Sequence, residues 1–514
     1  VCIDQIENQT GRIRNFENAA KGEGEHSGIF FDDSDVYKAL EGMAYSLINN
    51  PDPELEKKAD EWIDKFAAAQ QPDGYINTFY TLTGLDKRWT NMDKHEMYCA
   101  GHMIEAGVAY YQATGKRKLL DVCIRMTDHM MSQFGPGKRH WVPGHEEIEL
   151  ALVKLYQTTQ EQKYLDFAYW LLEERGHGHG TMGDEGKWNP VYYQDIVPVR
   201  QLTDISGHAV RCMYLYCGMA DVAALKNDTG YIAAMDRLWD DVVHRNMYIT
   251  GGIGSSRDNE GFTEDYDLPN LDAYCETCAS VGMVLWNQRM NQLTGDSKYI
   301  DVLERSLYNG ALAGISLGGD RFFYVNPLES KGDHHRQEWY CLLYTSDAAD
   351  YPWDGSVKLT ISTSQPLEKE IRLRIPDWCK TYDLSINGKR INVPKEKGYA
   401  VIKDWKSQDV IALDMDMPVE IVAADPHVKE NFDKRAIQRG PLVYCMEEID
   451  NPVYFDQIQL SPSTTFQTAF ASDILNGIKT IKTNGRAQSA TFIPYYAWDN
   501  RKAGKMRVWI PYNE

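Results

Sequence analysis

The sequence contains no apolar run of roughly 18 residues or more, so no stretch of it reads as a membrane-spanning helix. Basic charge is scarce. Lys and Arg total 54 against 75 Asp and Glu, a net charge of −21 at pH 7. That balance excludes the basic face by which proteins hold nucleic acid or anionic membrane surfaces. The ten cysteines lack the dense, regular spacing of a disulfide scaffold. Cys99, Cys123, Cys212 and Cys217 fall inside apolar helical patterns and read as buried free thiols. No charged-then-apolar leader follows Val1, and both a cytoplasmic and a periplasmic location fit. What the chain does have is 43% hydrophobic residues with 13 Trp and 31 Tyr, enough for a large core over roughly two to four domains.

Across residues 35–315 the apolar positions recur at helical spacing, and the breaks between helices share a grammar. Tyr111-Gln-Ala-Thr114-Gly115 precedes Lys118-Leu-Leu-Asp121, and Tyr156-Gln-Thr-Thr159-Gln160 precedes Lys163-Tyr-Leu-Asp166. Asn291-Gln-Leu-Thr294-Gly295 precedes Lys298-Tyr-Ile-Asp301, with a weaker copy at Asn227-Asp-Thr229-Gly230. Asn49-Asn-Pro51-Asp-Pro53 joins a further pair. Gly or a small polar residue past a helix end permits a sharp reversal, so the segment reads as five helical hairpins in series. Divergent repeats with long loops favour an α/α toroid over an open solenoid, with loops 176–199 and 250–271 expected at one mouth.

Beyond about residue 354 the pattern alternates. Val357-Lys-Leu-Thr-Ile-Ser, Ile371-Arg-Leu-Arg-Ile, Asp383-Leu-Ser-Ile, Ala400-Val-Ile, Val410-Ile-Ala-Leu and Val419-Glu-Ile-Val predict half-buried strands, with Asn387-Gly388 as a hairpin turn. Gly440-Pro-Leu-Val-Tyr and Lys505-Met-Arg-Val-Trp-Ile read as strands too. The expected organisation is a helical barrel over 1–340, an anomalous junction over 341–355, an incomplete β-sandwich over 356–435 and a second β-rich segment over 436–514.

The chemistry-bearing stretch is ITGGIGSSRDNEGFTEDYDLPNLDAYCETCAS, residues 249–280. Gly251, Gly252 and Gly254 precede Glu260, which has no neighbouring Lys or Arg; it reads as a general acid or as an exposed loop acid. Glu276 and Cys278 share a face only if 273–278 is a turn leading into a helix, for which Asn270 and Asp272 are candidate caps. Thiolate with carboxylate suits Zn²⁺, although two ligands are not a site and a buried structural Cys is the plainer reading. His102, His145 and His208 each follow a small residue near an expected helix start in successive hairpins, which would bring three imidazoles to one cavity.

These motifs together resemble glycoside hydrolase family 127, the β-L-arabinofuranosidase family. The matches are Gly-Gly-Ile-Gly with Glu260-Gly-Phe, Tyr266-Asp-Leu-Pro-Asn, Ala-Tyr-Cys-Glu276-Thr-Cys278-Ala, Asp73-Gly-Tyr-Ile-Asn77, His95-Glu-Met-Tyr-Cys-Ala-Gly-His102, Gly207-His208-Ala-Val-Arg, Glu304-Arg-Ser-Leu-Tyr-Asn309, Arg321-Phe-Phe-Tyr324 and Ile493-Pro-Tyr-Tyr-Ala-Trp-Asp-Asn. The resemblance implies an (α/α)6 barrel carrying β-sandwich domains and a glycan substrate. It implies Glu260 as acid/base, Glu276 and Cys278 as zinc ligands, and His102, His145, His208 and Tyr324 as substrate-binding residues. It also implies a zinc-bound thiolate nucleophile from a Cys-Cys-Pro motif, acting with net retention.

That motif is missing. After Gln337-Glu-Trp339-Tyr340 come Cys341-Leu-Leu-Tyr-Thr-Ser-Asp-Ala-Ala-Asp350, which resemble a translated sequencing adapter, and then Tyr351-Pro-Trp-Asp-Gly355. Cys341 is a poor stand-in for the nucleophile, so the zinc site is expected to be incomplete and the literal chain inactive. A non-catalytic sugar-binding barrel, or a sugar epimerase or isomerase on the same scaffold, are the competing readings.

Overall fold

The computed structural model describes residues 2–338, 351–363, 369–483 and 489–513. Cys341 and the rest of 341–350 lie outside them. Among the described residues no helix is long and apolar enough to cross a membrane. The chain forms two compact units, one on residues 2–241 and one on 242–337 with 351–513.

The first unit is helical: α1 (Cys2–Asn8), α2 (Arg12–Lys21), α3 (Asp33–Asn49), α4 (Pro53–Ala69), α5 (Thr78–Thr83), α6 (Glu96–Thr114), α7 (Lys118–Gln133), α8 (Ile148–Thr159), α9 (Gln162–Glu173), α10 (Ala209–Lys226) and α11 (Thr229–Arg245), whose end runs into the second unit. α3 packs on α6, α6 on α8 and α8 on α10; in the other row α2 packs on α4 and α4 on α7. Sequence decides the row. α6 and α10 are apolar or small nearly all round and bury most of their length, whereas α4 and α7 carry one apolar stripe and a charged face.

The repeated punctuation has one physical cause. Gly115, Gln160, Asn227 and Gly295 all end their helices in the left-handed conformation. In three of the four, a Thr at the last helical position donates to the carbonyl four residues back and accepts the N–H two residues on. Thr114 bonds Tyr110 and Lys116, Thr159 bonds Leu155 and Glu161, and Thr294 bonds Met290 and Asp296. That pair of bonds satisfies helix-end carbonyls and turns the chain.

The second unit opens on loop 246–276 and the hairpin α12 (Thr277–Thr294) and α13 (Lys298–Arg305). Two small antiparallel sheets follow. One orders strands 356–360, 410–415, 382–386 and 389–390; the other orders 371–374, 399–402 and 395–396. Their facing sides share a core of Ile375, Trp378, Leu384, Ala400, Ile402, Ile411 and Leu413. Asn387 and Gly388, both at positive φ, make the expected tight turn. The last sheet orders 419–423, 434–439, 442–447, 491–494, 478–483 and 466–471, and strand 506–507 ties its centre to 329–330.

Candidate functional site

Of the residues singled out from sequence, His102, His145 and His208 come together in the first unit, and Glu260, Glu276, Cys278 and Tyr324 come together in the second. Cys341 lies outside the described residues.

In the first unit the imidazoles meet through tyrosines. Tyr98 lies 4.5 Å, ring to ring, from His102 and 4.4 Å from His145. His145 is 5.9 Å from His208, and Tyr214 approaches both His102 and His145. Of His102, His145 and His208, only His208 caps a helix, its Nδ1 accepting from the amides of Val210 and Arg211 at the start of α10. His102 sits in the second turn of α6; the residue capping that helix is His95, at φ 59° and 5.4 Å from His145. His95 and Tyr98 are site neighbours that the sequence reading passed over. The four-residue spacing of Tyr98 and His102 on one helix was the available signal.

Three of the cluster's imidazoles are held neutral. Burial, then the Lys38 and Lys154 charges, hold His102 well below the ordinary range. Burial, then Arg211, does the same to His145 and His95. A neutral imidazole offers one donor and one acceptor, which suits a hydroxyl. Behind His102, Nδ1 lies 3.2 Å from Glu147 Oε1, and Glu105 is paired with Lys154. Burial, then Glu105, pushes the Glu147 carboxyl well up, and the Lys154 ammonium lies against Glu105. The buried Nε2 of His102 has no hydrogen-bond partner among the described residues.

In the second unit the glycine-rich turn sets the geometry. Gly251 sits at φ 72°, and a Cβ there would lie 2.6 Å from the Ser306 amide, so only glycine fits. The chain then pairs with 274–275, the amides of Cys275 and Tyr274 donating to the carbonyls of Gly254 and Ser255. Ser256 and Gly261 close a small loop with two amide bonds of 3.0 Å, which presents Glu260 at φ 50°. The Tyr274 hydroxyl donates to Glu260 Oε1 at 3.3 Å.

Glu276, not Asn270 or Asp272, occupies the cap position of α12; it is extended, and Cys278 follows in the first turn. Asn270 instead donates to Asn431 at 2.7 Å. Segment 323–326 runs beside the cap. The Thr277 amide donates to Tyr324 O, and Asn326 donates to Cys275 O and Thr277 Oγ1. This places the Tyr324 hydroxyl, though the residue is 42% exposed, in a hydrogen bond with Glu276 and beside Cys278. Burial, then the Glu276 charge, pushes both tyrosine hydroxyls well up, and Tyr274 also bonds Tyr324. Glu260, Tyr274, Tyr324 and Glu276 thus form one connected chain. Cys275, by contrast, is a core thiol raised by burial alone.

Glu276 and Cys278 have the donor chemistry of a zinc site. Among the described residues, however, no third His, Cys, Asp or Glu joins them within ligand distance. The donor set does not complete the four-coordinate arrangement that zinc takes.

Three comparisons bear on the whole chain. Family profiles match end to end: the β-L-arabinofuranosidase GH127 catalytic domain over residues 2–356, the GH127 middle domain over 328–417 and the glycoside hydrolase family 127 C-terminal domain over 419–511. A non-reducing end β-L-arabinofuranosidase of Bifidobacterium longum subsp. longum is 37% identical, over 94% of this chain and 89% of that protein. The crystal structure of a GH127 β-L-arabinofuranosidase from Geobacillus stearothermophilus T6 superposes with a TM-score of 0.92 at 39% identity, covering 98% of this chain and 94% of that one. A second solved GH127 β-arabinofuranosidase gives 0.91 at 37% identity, covering 100% and 94%. With helical hairpins leading into β-sandwich domains in the order those profiles require, this chain belongs to glycoside hydrolase family 127, the (α/α)6-barrel hydrolases of the β-L-arabinofuranosidase type.

Proposed function

We propose that the intact gene encodes a retaining glycosidase that releases β-L-arabinofuranose, or a related furanose, from plant-type glycans, and that the chain as written does not turn over. The observation that carries the reading is the connected set Glu260–Tyr274–Tyr324–Glu276, which puts an acid beside the cap that bears Cys278. Glu260 donates its proton to the departing glycosidic oxygen as the anomeric carbon is attacked. Its carboxylate then takes a proton from the water that completes hydrolysis.

The nucleophile of the intact gene is a thiolate from the missing Cys-Cys-Pro segment. Its sulfur bonds the anomeric carbon as the aglycone leaves, and water later displaces it with net retention. Glu276 and Cys278 are two of the donors that zinc would use in that intact protein. In this chain the set is short of donors, and no step here runs through a metal. His102, His145, His208 and Tyr324 hold the furanose hydroxyls; the partnerless buried Nε2 of His102 supports that role.

Restoring Cys-Cys-Pro between Tyr340 and Tyr351 tests the reading. Release of L-arabinose from an aryl β-L-arabinofuranoside is expected to appear on repair, and to fall by roughly 100-fold or more in the repaired Glu260→Gln protein. Unchanged turnover with Gln at 260 removes the acid/base assignment. Full turnover by the unrepaired chain removes the inactivity assignment.

A further inference from the structure

A second group of metal-binding side chains lies apart from both clusters. His140 Nδ1 is 2.6 Å from Glu174 Oε2, and His179 Nε2 is 3.6 Å from the same oxygen. The two imidazoles stack at 4.0 Å with planes 8° apart. One atom from each of the three residues lies within 4.8 Å of the others. Ligands about 2.0–2.1 Å from a tetrahedral ion are separated by roughly 3.3 Å, and the observed spacings bracket that value. As placed the two ring planes are nearly parallel, so shared coordination requires the exposed His140 ring to rotate. Two imidazoles and a carboxylate are a donor set for zinc and its neighbours in the first transition row.

The backbone beneath these side chains is tied down. Glu174 caps the end of α9, and the next residue, Arg175, is fully buried, donating to Pro143 O at 2.8 Å and Tyr193 O at 2.9 Å and pairing with Glu146. The Gly176 amide and the Trp188 indole both donate to Asp195. A Cβ at Gly176 would lie 1.9 Å from the Val197 carbonyl carbon, and one at Gly180 would lie 2.0 Å from the Trp188 ring. His179 is therefore presented by a loop that only glycines on its two sides permit. On the other strand of the contact, the Arg139 side chain, next to His140, donates to Trp89 O at 2.6 Å. Of the three donor side chains His140 is 59% exposed, His179 30% and Glu174 15%, so the cluster opens to solvent on the His140 side.

We propose that His140, Glu174 and His179 form a divalent transition-metal site, filled by zinc, which clasps the loop carrying His145 to the loop that follows α9. Water completes the coordination. The function is structural: the ion holds in register two segments that lead into α8 and α10, hence into His145 and His208. This site shares no residue with Glu260, Glu276 or Cys278, so its fate and that of the glycosidase reading are separable.

Zinc alone is the probe, on the full chain carrying Cys278→Ser so that the thiol near Glu276 contributes nothing. Equilibrium dialysis with metal analysis is expected to give one bound zinc per chain, and zinc is expected to raise the Tm by linkage. In His140→Ala/His179→Ala the affinity is expected to drop on the order of 100-fold, and the Tm shift to vanish, while His177→Ala keeps both. His140 and His179 are 59% and 30% exposed at their side chains, so truncating them opens no core cavity. Absence of bound zinc in the parent, or retention of zinc by the double variant, overturns the proposal.

Discussion

Glu260 holds its side chain on a backbone that suits glycine better. At φ 50° an L-residue is strained by roughly 1–2 kcal/mol, and the two amide bonds between Ser256 and Gly261 fix the loop that imposes it. Stability alone would not place a carboxylate there, which is why the strain supports a chemical role. Two variants separate the backbone from the side chain. Glu260→Ala loses the Tyr274 bond and keeps the strain; Glu260→Gly loses the bond and relieves it. The glycine variant is expected to be more stable than the alanine variant by about 1 kcal/mol, read as the difference in thermal or urea midpoints. Equal midpoints would mean that the loop relaxes at no cost. The sequence showed Glu260 without a basic neighbour but could not show its conformation, because φ is set by a pairing between residues that only the folded loop brings together.

The elements were legible wherever a local rule forced them. Each Thr-Gly or Thr-Gln break is a complete hydrogen-bonding unit contained in a few residues, and it marks three of the five hairpins counted from sequence, the Asn227 and Pro51-Asp-Pro53 breaks marking the other two. Strands 357–361 and 410–413 alternate because one face of each is buried in a shared core. Strand 466–471 is exposed along most of its length, and nothing in its alternation marked it. Less legible still was the π-helical turn 306–311 after α13, where Asn309 points out of the helix. Its Nδ2 donates to Arg305 O and Pro441 O at 2.9 Å, and its Oδ1 accepts from the Val443 amide at 2.8 Å. One buried side chain thus satisfies two backbone groups of strand 442–447 and its turn. Asn309→Ala leaves both without a partner and is expected to cost about 2–4 kcal/mol in a urea melt. A loss under half a kcal/mol (roughly the scatter of surface changes) would show that water replaces the amide.

Across the whole molecule, the residue types of the candidate site were legible and their neighbours were not. His102, His145 and His208 are far apart in sequence; Tyr98, which joins two of them, lies inside the motif from His95 to His102 with nothing there to mark its role, and Tyr214, Glu105 and Glu147 belong to none of the matched motifs. Those buried acids make stability depend on pH. Glu96 is fully enclosed, accepting from the Tyr75 hydroxyl at 2.6 Å and the Trp89 amide at 2.8 Å. Burial outweighs these bonds and the Arg88 and Arg139 charges, and its carboxyl is pushed up to about 8; Glu147 is raised as well. In the unfolded chain both ionise near 4.5. Between about pH 7 and 8 the folded state therefore holds protons that the unfolded state has released, and stability falls as pH rises, by up to about 1.4 kcal/mol per pH unit for each proton held. His95, His102 and His145, all lowered from 6.5, oppose this slope near pH 7, where their unfolded imidazoles still hold some protons, and the opposition fades toward pH 8. The Tm is thus expected to decline from about pH 7 to 8. Glu96→Gln, which keeps the shape but carries no titrating proton, is expected to flatten that decline by one proton's share. An identical slope in the variant would mean that Glu96 is already ionised in the fold, with the Tyr75 and Trp89 donors outweighing its burial.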